Sequence, residues 1–172
     1  MNKTLHLISV VALLVWNGCA LVTEDSQSEH WGEAVKGLRL GATIDNTVFQ
    51  VQDPIMLKTA FTNVSTLTIS FWQSGFWPNT RIRVVDSTMK SARLTPEGDA
   101  KQKIFSPGGE RTKNVLVNLK PGESRGLEPI DLRHLFEMEP ATVYFVDVVY
   151  EERQAEGWRG KLTSNRVRVR IW

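Results

Sequence analysis

Residues 142–152, Thr142-Val143-Tyr144-Phe145-Val146-Asp147-Val148-Val149-Tyr150-Glu151-Glu152, and the closing run Arg166-Val167-Arg168-Val169-Arg170-Ile171 decide the fold. The first is so rich in β-branched and aromatic residues that a strand suits it better than a helix, and Pro140 and Gly157 bound it. The second alternates arginine with aliphatic residues, which gives an extended chain one charged and one apolar face. With Glu156-Gly157 as a turn, the two predict a final antiparallel hairpin pairing Val143 to Glu152 with Trp158 to Ile171.

The same period of two runs back through the chain. Leu38, Leu40, Ala42 and Ile44 alternate with Arg39, Gly41 and Thr43. Ile55, Leu57, Thr59 and Phe61 repeat the pattern, as do Leu67, Ile69 and Phe71 against Thr66, Thr68 and Ser70. Further strands are predicted at 81–86, 101–105 and 112–119, with turns at Pro96-Glu97-Gly98-Asp99, Pro107-Gly108-Gly109 and Pro121-Gly122-Glu123. The one helical candidate is Asp131 to Phe136, where Asp131 can cap a single turn. Tyr144, at the start of a late strand, stands where a tyrosine corner would bond back to a nearby turn. The prediction is an all-β, immunoglobulin-like antiparallel β-sandwich of about 7–9 strands with one short crossover helix turn.

The N-terminus carries a different signal. Lys3, the apolar run Leu5 to Trp16 and the small residues around Cys19 read as an export signal over residues 1–18, too short for a confident membrane span. Cutting before Cys19 leaves a cysteine for N-terminal lipidation, while cutting after Ala20 is the competing reading. Residues 19–33 are polar and acidic and read as a tether, leaving 34–172 as the sandwich. Because Cys19 is the sole cysteine, the domain has no disulfide and depends on core packing.

Lys and Arg number 21 against 19 Asp and Glu, and removing residues 1–18 takes only Lys3, leaving 20 against 19. Such balance argues against a nucleic-acid binder working by broad charge neutralisation.

Trp31-Gly32-Glu33-Ala34-Val35-Lys36-Gly37-Leu38-Arg39-Leu40, the stretch around Asn63-Val64-Ser65, Pro121-Gly122-Glu123-Ser124 and Gly160-Lys161-Leu162-Thr163-Ser164-Asn165 together resemble an uncharacterised immunoglobulin-like module of bacterial envelope proteins. Residues 55–150 are more distantly similar to the BsuPI-type proteinase-inhibitor fold. The first resemblance implies a binding module of the envelope, the second an inhibitor acting through an exposed loop.

Catalytic patterns are missing. Of the histidines beyond the signal, His30 lies in the tether and His134 on the crossover turn, which makes neither a zinc site nor a Cys/His nucleophile pair. There is no Gly-x-Ser-x-Gly. Glu151 and Glu152 are neighbours on a strand and so point to opposite faces. Asp147, inside an apolar strand, is expected to point outward or to accept a bond from an arginine. Asn63-Val64-Ser65 matches a glycosylation sequon, without a mechanism behind it in a bacterial protein. These readings predict a non-enzymatic protein without cofactor or metal. Its partners are an envelope protein or polysaccharide and, through a lipid on Cys19, the membrane; nucleic acid is not among them.

Two surfaces are candidate contacts. Arg166, Arg168 and Arg170 share one strand face, and Arg81 and Arg83 flank Ile82 in the same manner. On a common sheet these rows form a basic stripe; otherwise they are a solvated face paired with acidic neighbours such as Glu151. The second surface is Phe71-Trp72-Gln73-Ser74-Gly75-Phe76-Trp77-Pro78. Phe71, Trp72, Phe76 and Trp77 either present rings at a loop tip or close the end of the core.

Overall fold

A computed structural model describes residues 31–73, 75–107, 115–154 and 156–172. Cys19 and the export signal, together with most of the tether, lie outside them. In chain order the elements are β1 (Leu38–Ile44), β2 (Val48–Phe49), β3 (Met56–Asn63), β4 (Ile69–Gln73), β5 (Thr80–Asp86), β6 (Arg93–Leu94) and α1 (Pro96–Gln102). Then come β7 (Val115–Leu119), β8 (Ser124–Gly126), β9 (Ile130–Asp131), α2 (Leu132–Leu135), β10 (Phe136–Glu137), β11 (Val143–Glu152), β12 (Gly160–Thr163) and β13 (Val167–Ile171).

The result is an all-β sandwich. One sheet pairs β1 with β3, whose other edge carries β8 and β9 in succession. In the other, β11 is the central strand: β5 runs antiparallel along one edge, β12 and β13 share the opposite edge, and β2 adds parallel to β13. β4 pairs with β7, and β6 with β10. Leu38, Leu40 and Leu57 from one sheet and Val146, Val148, Leu162 and Ile171 from the other belong to a single apolar cluster, which Leu132 and Leu135 of α2 join. Within it Phe61 stands 4.8 Å from both Phe71 and Tyr150, the latter edge-on. Each such ring removed from water is worth roughly 1.5–3 kcal/mol.

The return strand of the hairpin is interrupted once. Val149 faces Thr163, whereas Val146 faces Val167. Two residues of β11 therefore oppose three, Ser164 to Arg166, and the extra residue is a β-bulge. It reverses the in-and-out parity of the strand, so that Leu162 and Val169, an odd number of positions apart, are both buried. Side chains knit the gap. Val148 N donates to Ser164 Oγ at 2.9 Å and Ser164 N to Val148 O at 2.8 Å. Asn165 reaches across to the other sheet, where its Oδ1 accepts from Ala42 N at 2.8 Å and its Nδ2 donates to Ala42 O at 2.9 Å. One amide thus occupies a stretch of the open edge of β1, as a neighbouring strand would.

Asn63 organises the opposite end. It is fully buried, and its Nδ2 donates to Leu67 O at 2.7 Å and Leu119 O at 2.8 Å, while its Oδ1 accepts from Ser65 N at 2.9 Å. Its backbone joins the tight turn after β7, where Gly122 (φ 76°) donates its N–H to Asn63 O at 2.8 Å.

The crossover end is held by Asp131, Arg133 and Tyr144. Asp131 Oδ1 caps α2, accepting from Arg133 N and also from Ile55 N, both at 3.0 Å. The Arg133 guanidinium donates to Asp53 O, Met138 O and Gln50 O, and burial pushes its pKa below the usual arginine value. The Tyr144 hydroxyl accepts from Glu139 N at 2.8 Å, the corner bond expected from sequence.

Several local readings are corrected. Residues 101–105 form no strand; Lys101 and Gln102 end α1, because Thr95 caps it through a bond from Gly98 N to Thr95 Oγ1 at 3.0 Å and Pro96 opens it. Pro96 to Asp99 is thus the first turn of a helix, and the described residues hold two short helices instead of one. Gly98 is required there, since a Cβ would stand 2.0 Å from Leu135 O. β4 begins at Ile69, and Leu67 is exposed because its carbonyl is turned to Asn63. At the N-terminal margin, residues read as tether already touch the sandwich: Trp31 bridges to Gly41 and Gly32 N donates to Leu40 O at 2.9 Å.

Replacing Asn165 with Ala leaves Ala42 N and O without their partners across the sheets. A loss of about 2–3 kcal/mol is expected, read as a lower midpoint in thermal or urea unfolding. A second expectation concerns acid. Asp86 Oδ1 accepts from the Thr88 hydroxyl and from the backbone N–H of Thr88 and Lys90, which together hold its carboxyl below the ordinary aspartate value. Because the folded pKa is the lower one, the turn has its full contribution above the unfolded value and loses it as pH falls through the folded pKa. The amide resonances of Thr88 and Lys90 should therefore titrate with a midpoint below the usual value of about 3.9.

Candidate functional site

The two arginine rows fall on one face of one sheet. Directly opposed residues share a side, and β11 is flanked by both rows: Arg81 lies opposite Val149, Arg83 opposite Asp147, Arg168 opposite Phe145 and Arg170 opposite Val143. Since the even residues of β11 fill the core, this is the outward face.

Asp147 lies beneath the arginines. Its side chain is 8% exposed, forms an ion pair with Arg83 Nε at 2.5 Å and stands 3.8 Å from Arg166. The expected outward aspartate with an arginine partner is thus observed. Glu151, the acidic neighbour proposed from sequence, instead pairs with Arg153. Glu152 points to the other side of the strand, buried, with Asn79 Nδ2 donating to it at 2.8 Å.

Three of the five guanidinium groups also lie near rings. Arg81 sits 4.5 Å from the centre of Phe105, Arg170 4.1 Å from Trp172, and Arg166 5.9 Å from Phe145. Trp172 is 55% exposed. A flat guanidinium stacked on a ring keeps its edge donors free for a carboxylate while losing rotational freedom. Sequence reasoning missed Phe105, Phe145 and Trp172 as part of this face. Two residues more of the same period would have added Trp172, since it shares the parity of Arg168 and Arg170. Phe105 arrives by way of α1, which the strand reading of 101–105 concealed.

The aromatic segment divides. Phe71 is fully buried and its ring stands 6.2 Å from Tyr150, so it belongs to the core. Phe76 and Trp77 stack edge to face at 4.9 Å and pack, partly buried, against that core. Trp72 points to the other side of β4, half-buried, with its Nε1 donating to Glu156 O at 3.1 Å. The four rings do not form one platform.

Among the described residues, no three His, Cys, Asp or Glu stand together as metal ligands. His134 is exposed beside Asp131, 3.8 Å away. No helix among these residues is long and apolar enough to cross a membrane.

No protein-family model matches the chain, and no curated protein matches it in sequence. Fold and face together define an all-β sandwich that presents an arginine-rich sheet surface.

Single substitutions should grade the aromatic segment. Phe71→Ser is expected to cost about 3–5 kcal/mol, Trp77→Ser about 1–3, and Trp72→Ser about 1 or less, measured by chemical unfolding.

Proposed function

We propose that the chain is an exported, non-enzymatic binding module of the cell envelope, acylated at Cys19, that engages an acidic protein through the outward face of β5, β11 and β13. The observation that carries this reading is the set of five arginines, Arg81, Arg83, Arg166, Arg168 and Arg170, around the carboxylate of Asp147, while Glu151 of the same face is taken by Arg153. One carboxylate matches two of them, which leaves a surplus of positive charge on a nearly neutral protein. Arginine and exposed tryptophan are also the residue types that dominate protein contact energies. Stacking on Phe105 and Trp172 holds the cations in place before a partner arrives, which lowers the entropy cost of binding.

The test is capture of envelope proteins by the immobilised domain. Binding should weaken with rising salt, and Arg168→Glu/Arg170→Glu should reduce it by about tenfold or more while leaving the unfolding midpoint nearly unchanged. Salt-independent capture that survives the double reversal overturns the reading. Selective retention of acidic polysaccharide redirects it from protein to polymer. Stoichiometric inhibition of an exported protease would replace it with the inhibitor that the BsuPI-type resemblance implies.

A further inference from the structure

The five arginines of the outward face are not equally matched. Arg83 and Arg166 share Asp147, whereas Arg81, Arg168 and Arg170 have no carboxylate partner among the described residues. All three are exposed. Set against the outward residues of β11, the arginines run from the row of Val149 to the row of Val143. Six steps of extended chain span about 20 Å.

The chain enters the sandwich at one side of this row. Trp31 bridges to Gly41, and the next residue of β1, Ala42, has its N and O bonded to the Asn165 amide. Gly32 lies against β12, so near that a Cβ would fall 1.9 Å from Thr163 O. Trp31 therefore stands where the edge of β1 meets the bulge, and Arg166 follows Asn165 directly. Arg168 and Arg170 continue from there on the near side of β11, while Arg81 and Arg83 lie on β5, along its far side.

Immediately before Trp31 the sequence reads Val22-Thr23-Glu24-Asp25-Ser26-Gln27-Ser28-Glu29-His30, which holds three carboxylates and no lysine or arginine. Glu24 is seven positions from Trp31. Extended, that stretch reaches up to about 24 Å, enough to follow the arginine row. Point of entry, reach and sign of charge agree. We propose that the segment Glu24 to Glu29 is the arginine face's own occupant, its carboxylates pairing with Arg168 and Arg170 of the same molecule. This deepens the binding-module reading above and rests on it. A partner has to displace carboxylates held at high local concentration by their attachment, so a single acidic group competes poorly and a cluster of them competes well. Exposed ion pairs are individually weak, and the segment therefore grades access to the face instead of closing it.

The experiment follows modification of each arginine by phenylglyoxal, read residue by residue from peptide masses, in the full chain and in Glu24→Gln/Asp25→Asn/Glu29→Gln. At low salt, neutralising the segment should raise the rate at Arg168 and Arg170 about threefold or more. Arg93, which pairs with Glu137 on another sheet, should react equally in both proteins. The difference should vanish in about 1 M salt, and it should persist unchanged on dilution of about a hundredfold, because the contact is intramolecular. Equal rates in the two proteins overturn the proposal. So does protection that fades on dilution, which assigns the carboxylates to a second copy of the chain. No partner is present in this experiment, so absence of protection and absence of a captured partner are separate outcomes.

Discussion

The bulge between β12 and β13 is the constraint on which the sandwich depends. A strand cannot change which of its side chains face inward without inserting or omitting a residue. Here one residue is inserted in the span Ser164 to Arg166, and three features follow. Leu162 and Val169 both reach the core, Arg168 and Arg170 are both kept out of it, and Asn165 is freed to bond Ala42 on the facing sheet. The edge of β1 is closed by that amide together with Gly32, and the edge of β5 by Ala92 and Gln102. Both edges that would otherwise invite another strand are therefore met by short, local devices.

The arginine face follows from the same geometry. Because β11 is central and carries an aspartate at the one outward position lying between arginines on both neighbours, Asp147 holds the two rows in register. Burial of such a pair is weak evidence for stability, since desolvation offsets most of the attraction. Its effect here is positional: Arg83 and Arg166 are drawn to the middle, while Arg81 and Arg170 lean outward onto Phe105 and Trp172.

Strands with strict alternation were legible in the sequence, as were the tyrosine corner and the cap at Asp131, because each rests on a local rule. β1, β3, β5 and β11 fall close to their expected places. What misled was competition between local signals. Lys101 to Phe105 alternates like a strand, but Thr95 and Pro96 start a helix that runs into it. The arginine rows were readable as rows; that they share a sheet was not, because the pairing of β5 with β11 joins residues 58 to 70 positions apart.

The burial of Asn63 bears on how the chain is produced. Its side-chain nitrogen, the atom a glycosyltransferase would modify in Asn63-Val64-Ser65, is turned inward and committed to two carbonyl oxygens. A eukaryotic secretory host meets the sequon while the chain is still emerging, before those bonds exist. A sugar added at that moment would occupy the corner where β3, β4 and the turn after β7 come together, so secretion in such a host selects between unmodified chains that fold and glycosylated chains that cannot close.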